Sequence, residues 1–250
     1  VRKSESLETK VKQHKVNKSS SKYAKAYESY KKKLAIASSI AVLQKSMKGA
    51  SGMVFRSELK GMKRVLRRLK YTDGEDVVQI KGRAAAEIDC GDELVLTELI
   101  FEGVFNDLAP EVCAAVLSCF VFDEKTDENL RLPDELKRPI DVLKDKARRV
   151  ATVQSESKLQ VDVEEYVKKF KAGLAEMTLR WCQGVKFVDL MAKSEIFEGS
   201  VIRCIRRLEE LVTQLAGVCK VIGNTELEKK FKEASKMMKR DIVFAASLYL

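Results

Sequence analysis

Apolar positions recur with a helical period along most of this chain, and the clearest run lies near its end. Val201, Ile205, Leu208, Val212, Leu215, Cys219 and Ile222 follow one another in steps of four and three, which puts them on one seam of one helix. Upstream of it the same periodicity predicts a series of shorter helices. Asp92 is placed to cap a helix over 93–102, with Glu93 in the first turn. Pro110 opens a helix whose face is Val112, Ala115, Val116, Cys119 and Phe120, although Ala109 before it offers no capping side chain. Leu136, Ile140, Leu143, Ala147 and Val150 follow Pro133 at heptad spacing, and Pro139 within that stripe predicts a kink or a restart. Tyr166, Phe170, Leu174, Met177 and Trp181 form another stripe, and Phe187, Leu190 and Met191 a short one. Asn224 is placed to cap a last helix carrying Leu227, Phe231, Met238, Ile242 and Ala245.

The N-terminal part reads differently. Residues 1–22 are rich in Lys and Ser without periodicity and read as linker. Tyr23, Tyr27, Tyr30 and Leu34 begin a long, thinly apolar helix, which Gly49 and Gly52 are expected to interrupt. Residues 61–70 predict a short amphipathic helix with Met62, Val65, Leu66 and Leu69 inward and Lys63, Arg64, Arg67, Arg68 and Lys70 outward. After a turn at 71–74, Val77–Ile80 and Ala84–Ile88, joined through Lys81, Gly82 and Arg83, read as a β-hairpin. Helix plus hairpin is the second half of a winged helix. The expected fold is therefore mainly α: a basic helical stalk segment over 1–55, a partial winged helix over 56–91, and an antiparallel helical bundle over 92–250.

Charge sharpens this division. The 250 residues carry a net +10, but residues 1–70 hold 20 Lys/Arg against 4 Asp/Glu, so the rest is mildly acidic. A basic arm of that kind implies a polyanionic partner or a solvated polar helix. No apolar run approaches the roughly 18 residues of a membrane span, so no membrane partner is expected. No secretory leader is apparent, and the Val at position 1 suggests a piece of a longer polypeptide.

Several chemistries are excluded. There is no GxxxxGK[ST] loop and no acidic Walker-type box, so no nucleotide triphosphate site is encoded here. The single histidine, His14, lies in the polar N-terminal stretch, which removes histidine acid–base or nucleophilic catalysis. The six cysteines form no CxxC pair, so a zinc site lacks its spacing and reduced thiols are expected. The pairs Asp92/Glu93, Glu164/Glu165 and Glu209/Glu210 are adjacent on helices and diverge, as solvated charges or ion-pair partners.

What remains is binding. Arg203, Arg207 and Glu210 stand at i, i+4 and i+7 and form a stripe facing away from the apolar seam. Arginine can grip a phosphate or stack on a base, and a glutamate can accept from a base edge. The bland alternative is an exposed helix with ion pairs between Arg207 or Arg206 and Glu210. Arg64, Arg67 and Arg68, with Lys63 and Lys70, are a second candidate for nucleic acid or for a neighbouring domain. Trp181 and Phe187 read as bundle core, and Gly184 and Gly199 as positions for a turn and for close packing. The apolar end from Phe244 is expected to pack down.

An ordered string of short motifs adds to this reading. Trp181-x-x-Gly184-x-x-Phe187, Glu198-Gly199-Ser200-x-x-Arg203, Arg207-Leu208-Glu209-Glu210-Leu211 and Arg240-Asp241-Ile242-Val243 resemble the DSHCT-type C-terminal helical domain of exosome-associated DExH-box RNA helicases, the kind found in the TRAMP polyadenylation complex. The likeness runs from about Lys63 to Leu250. It implies that this chain is the C-terminal part of an ATP-dependent 3′→5′ RNA helicase that unwinds and threads RNA for the exosome. It also implies that ATP and magnesium bind RecA-like motor domains outside this chain, with no cofactor in it. The family's ratchet helix, which touches RNA across the channel, would match the helix of Arg203, Arg207 and Glu210. Implied partners are single-stranded RNA, the motor domains, the exosome and polyadenylation-complex subunits. The implied location is the nucleus and nucleolus, or the cytoplasm for a relative of the cytoplasmic exosome helicase. The alternative from another class is a stand-alone adaptor: a bundle that binds a protein and a basic arm that binds RNA through phosphates alone.

Overall fold

The computed structural model describes residues 2–13, 21–124, 132–192 and 194–244, and divides into two compact units, 1–57 and 58–250. In the first unit, α1 (Arg2–Gln13) is helical where a linker was expected over 1–22. Its side chains from Ser4 onward are exposed, so local propensity carries it. Helix α2 spans Ser21–Arg68 and passes Gly49 and Gly52 without a break, contrary to the expected interruption. A glycine inside a helix costs about 1 kcal/mol, and good helix formers on either side outweigh that. For the same reason 61–70 is not a separate helix: it is the end of α2. There Val65 and Leu69 are buried as expected, but Met62 is 47% exposed. Gly61 lies inward in its place, where a side-chain carbon would sit 2.7 Å from Leu159.

The expected β-hairpin is absent. Thr72 and Val78 form one antiparallel bridge, and Ile80–Ala86 is a helix, α3. Three consecutive alanines favour helix over strand, and Ala84 and Ala85 are buried. Gly82 permits the packing, because a Cβ there would lie 2.6 Å from the Tyr71 carbonyl oxygen. The winged-helix reading thus loses its hairpin, and among the described residues that bridge is the only β pairing.

The bundle is built around α5 (Pro110–Leu117), whose residues from Val112 onward are all buried. It packs against α6 (Asp134–Glu156), α8 (Ala175–Cys182), α10 (Glu198–Ile222) and α11 (Thr225–Met238). A helix apolar all round belongs at the centre, and eight residues are enough when neighbours cover every side. Helix α6 runs through Pro139, with Leu136, Ile140, Leu143, Ala147 and Val150 fully inside. The stripe from Tyr166 to Trp181 is shared by two helices, α7 (Val163–Lys168) and α8, instead of one. Between α3 and α5, α4 (Glu93–Phe101) starts at Asp92, which accepts from the Val95 N–H at 3.0 Å, while the other Asp92 oxygen accepts from the Tyr166 hydroxyl. The short α9 (Phe187–Met191) leads to α10. Asn224 caps α11, accepting from the Leu227 N–H at 3.1 Å. That helix ends at Met238, and a 3-10 turn, Asp241–Phe244, follows. Ala245, the rest of the apolar end and His14 lie outside the described residues.

Under α4 sits a buried charge pair. The Lys81 ammonium contacts Glu98 at 2.6 Å, donates to the Leu69 carbonyl at 3.0 Å and stands 4.7 Å from the Tyr71 ring centre. Such a pair is held by these extra contacts, since the attraction alone barely offsets the lost hydration.

Candidate nucleic-acid interface

Helix α10 positions the candidate residues. Glu198 in its first turn complements the helix dipole. Its seam of Val201, Ile205, Leu208, Val212, Leu215 and Cys219 is fully buried, with Ile222 at its end partly buried, and packs on α11, α5 and α3. With that side fixed, geometry sends Arg203, Arg207 and Glu210 outward, and all three are exposed.

Their surroundings differ. The Arg203 guanidinium donates to the Ser200 hydroxyl at 3.0 Å. Arg207 makes no hydrogen bond or ion pair among the described residues, so the ion pair with Glu210 is not formed. Glu210 lies beside Cys90, whose thiol is pushed up to about 11 by partial burial first and then by Asp89 and Glu210. Arg206 turns aside and donates to the Val243 carbonyl at 2.6 Å, which ties the C-terminal 3-10 turn to α10.

Two bolts that the sequence did not reveal hold this helix in place. Gln214 accepts from the Asp89 and Cys90 N–H groups at 3.2 and 3.3 Å and donates to the Asp89 carboxylate, fixing α10 to the segment after α3. Glu209 accepts from Thr213 at 2.7 Å and Ser235 at 2.8 Å, and pairs with Lys239 at 2.9 Å. Burial raises the Glu209 carboxyl, but these donors outweigh it and leave it below the usual range. Only the Glu209/Thr213 spacing was visible in sequence. Ser235 and Lys239, and the partners of Gln214 some 125 positions away, were not.

The second candidate is largely neutralised. Lys63 and Arg67 both contact Asp76, at 3.0 and 2.7 Å, and Arg68 pairs with Glu156. Arg64 folds back on its own helix, donating to the Lys60 carbonyl at 3.2 Å. Elsewhere, Trp181 is fully buried and donates to the Met238 carbonyl at 3.1 Å, with the Arg240 guanidinium stacked 3.8 Å from its ring centre. Arg240 also donates to the Trp181 carbonyl at 2.7 Å and the Gly184 carbonyl at 3.2 Å, closing the end of α8 where Gly184 takes a φ of 97°. Phe187 is partly buried and meets Trp181 edge-on at 6.0 Å, so Trp181 is core and Phe187 packs against its edge. Of the paired carboxylates, Glu164 bonds Arg148 and Glu165 bonds Lys168. Cys119 and Cys219 are buried and unpaired, their thiols pushed up to about 12 by burial. Among the described residues no group of His, Cys, Asp or Glu could hold a metal.

A family model, the DSHCT (NUC185) domain, matches residues 75–245, more than half of the chain. The chain belongs to this family. The DSHCT match contains Arg203, Arg207 and Glu210 with both bolts of α10, whereas Arg64, Arg67 and Arg68 precede it. The DSHCT chain is 48% identical over 225 residues to the ATP-dependent RNA helicase mtr4 of Schizosaccharomyces pombe, covering 90% of this chain and 20% of that protein. It is 47% identical over 219 residues to the exosome RNA helicase MTR4 of Homo sapiens, covering 88% and 21%. The DExH-box ATP-dependent RNA helicase DExH9 of Arabidopsis thaliana is 44% identical over 250 residues, covering 100% and 25%. This DSHCT chain thus spans between a fifth and a quarter of the length of these relatives.

Proposed function

We propose that this chain is the C-terminal region of an ATP-dependent 3′→5′ RNA helicase that unwinds RNA and threads it to the exosome for processing or decay. Helix α10 lines the RNA channel and braces the strand between motor steps. Arg207 and Glu210 lie nearest the RNA, with Arg203 next. ATP and magnesium bind RecA-like motor domains on the same polypeptide, outside this chain. Exosome and polyadenylation-complex subunits are the expected partners, and the nucleus and nucleolus the expected location, with the cytoplasm for a relative of the cytoplasmic exosome helicase. Arg64, Arg67 and Arg68 face a neighbouring domain in this reading, because their charges already have carboxylate or carbonyl partners.

One observation carries the reading. Arg207 is an exposed guanidinium with no hydrogen-bond or ion-pair partner among the described residues, on a helix whose opposite face is fully buried. An arginine held by a rigid element with its donors free is suited to a strand passing over it. In the full-length polypeptide, Arg207→Ala is expected to slow unwinding about tenfold, the worth of one charge-assisted hydrogen bond, with ATP hydrolysis nearly unchanged. An unchanged unwinding rate would remove the ratchet assignment, and RNA binding that survives without any motor in the polypeptide would favour the adaptor.

A further inference from the structure

We propose that Phe197 is a stacking platform for one base of single-stranded RNA at the head of the α10 ridge, an inference that rests on the RNA-channel reading above. Phe197 is the residue before α10, with extended backbone, and the residue is 73% exposed. It immediately precedes α10, which carries no aromatic residue of its own. The ring is nevertheless seated. A Cβ built on Gly199 would lie 2.7 Å from one ring carbon of Phe197 and 3.3 Å from the next. Gly199 is one helical turn before Arg203, so the ring occupies the place on the outward ridge that a side chain at 199 would fill. The glycine therefore provides a backing for the ring, and the sequence Phe-x-Gly with Arg203 and Arg207 beyond it forms one line: flat aromatic, guanidinium, guanidinium, then Glu210.

The chemistry of that line selects the occupant. An exposed phenyl group next to a protein partner would want other apolar groups around it, yet its neighbours Glu195 and Glu198 are exposed carboxylates. They keep phosphates off the ring and leave its face to a neutral base, while Arg203 and Arg207 supply the cations one and two turns further on. Alternating π-faces and cations is the arrangement that holds a single strand without reading its sequence. Trp181 is spent in the core, and the partly buried Phe187 packs edge-on against it.

The test uses the full-length polypeptide and a single-stranded RNA carrying one 2-aminopurine, moved stepwise along the strand. The intact protein is expected to quench the probe at one position. Phe197→Ala should abolish that quench and weaken RNA binding about tenfold, and Phe197→Trp should keep both. Phe197→Leu keeps apolar bulk without a π-face and should behave like the alanine variant. It also serves as the reference if the alanine variant lowers the melting temperature. Full affinity and quench in Phe197→Leu would overturn the proposal and mark a contact with another protein domain. Arg207→Ala run alongside separates the two readings. If it weakens binding while the Phe197 variants do not, stacking alone falls. If neither matters, α10 does not line the RNA.

Discussion

Two arginine-rich helix faces look alike in the sequence and differ in the fold. At the end of α2, Lys63, Arg67 and Arg68 are taken up by Asp76 and Glu156, which come from the segment after α2 and from the end of α6. On α10, among the described residues, Arg207 has no such counter-charge and Arg203 holds only a hydroxyl. Counting cations along a helix measures supply, whereas availability depends on which carboxylates the fold delivers to them. A cation already paired must give up its partner before it binds a phosphate, so the same arginine content makes a clamp in one place and a free surface in the other.

The comparison can be pushed in both directions. The largest effect is expected where pairing is most buried and sets the upper limit for a lost counter-charge. Lys81→Met would strand Glu98, whose side chain is 4% exposed, and should cost about 3–5 kcal/mol in denaturant unfolding. A smaller loss would mean that water reaches the carboxylate. Next comes Arg207→Ala, which should weaken RNA binding about tenfold and lower the steepness of its salt dependence by about one phosphate contact, with the unfolding midpoint unchanged. Smaller again is Asp76→Asn. It frees Lys63 and Arg67, and is expected to raise RNA affinity only about two- to threefold, and only at low salt, because the new patch is generic. A gain as large as the Arg207 loss would mean that the end of α2 is itself an RNA site restrained by Asp76.

The last and smallest effect is a pH dependence. The hydrogen bond from Arg67, then that from Lys63, hold the Asp76 carboxyl down to about 2 from an ordinary 3.8. A carboxyl with a lowered folded value stabilises fully above the unfolded value and loses that contribution as pH falls through the folded one. The clamp should therefore weaken between about pH 4 and pH 2, by less at high salt because the pair lies at the surface, and a carbon-detected NMR titration of Asp76 would follow it. An ordinary Asp76 titration near 4 would mean the clamp is not populated in solution.

The legible parts of this chain were those where one helix face meets a large core. The α10 seam, the α6 stripe, and the Asp92 and Asn224 caps all follow from spacing or from a side chain two or three residues from its target. Residues 80–88 were misread because Val77, Val78 and Ile80 around a Lys-Gly-Arg turn suit a strand locally, while the fold needed small residues against Tyr71 and took the alanines as helix. The breaks expected at Gly49 and Gly52 failed because propensity adds over many residues. In the candidate site, the outward direction of Arg203, Arg207 and Glu210 was readable. The diversion of Arg206 to Val243, the bolts at Gln214 and Glu209, and the seat of Phe197 on Gly199 were not.

The sequence by itself determined that this is a mainly helical chain with a basic N-terminal end and with one arginine-bearing helix anchored through an apolar seam. Those properties are local: periodicity, capping and composition act within a few residues. The DSHCT motifs are likewise strings of neighbours. Tertiary structure alone decided which cations keep free donors and which aromatic stays outside, because a counter-ion or a packing partner is set by distance in space. Asp76 and Glu156 lie 9 and 88 positions from the arginines they neutralise. No spacing rule along the chain could have told those arginines from Arg207.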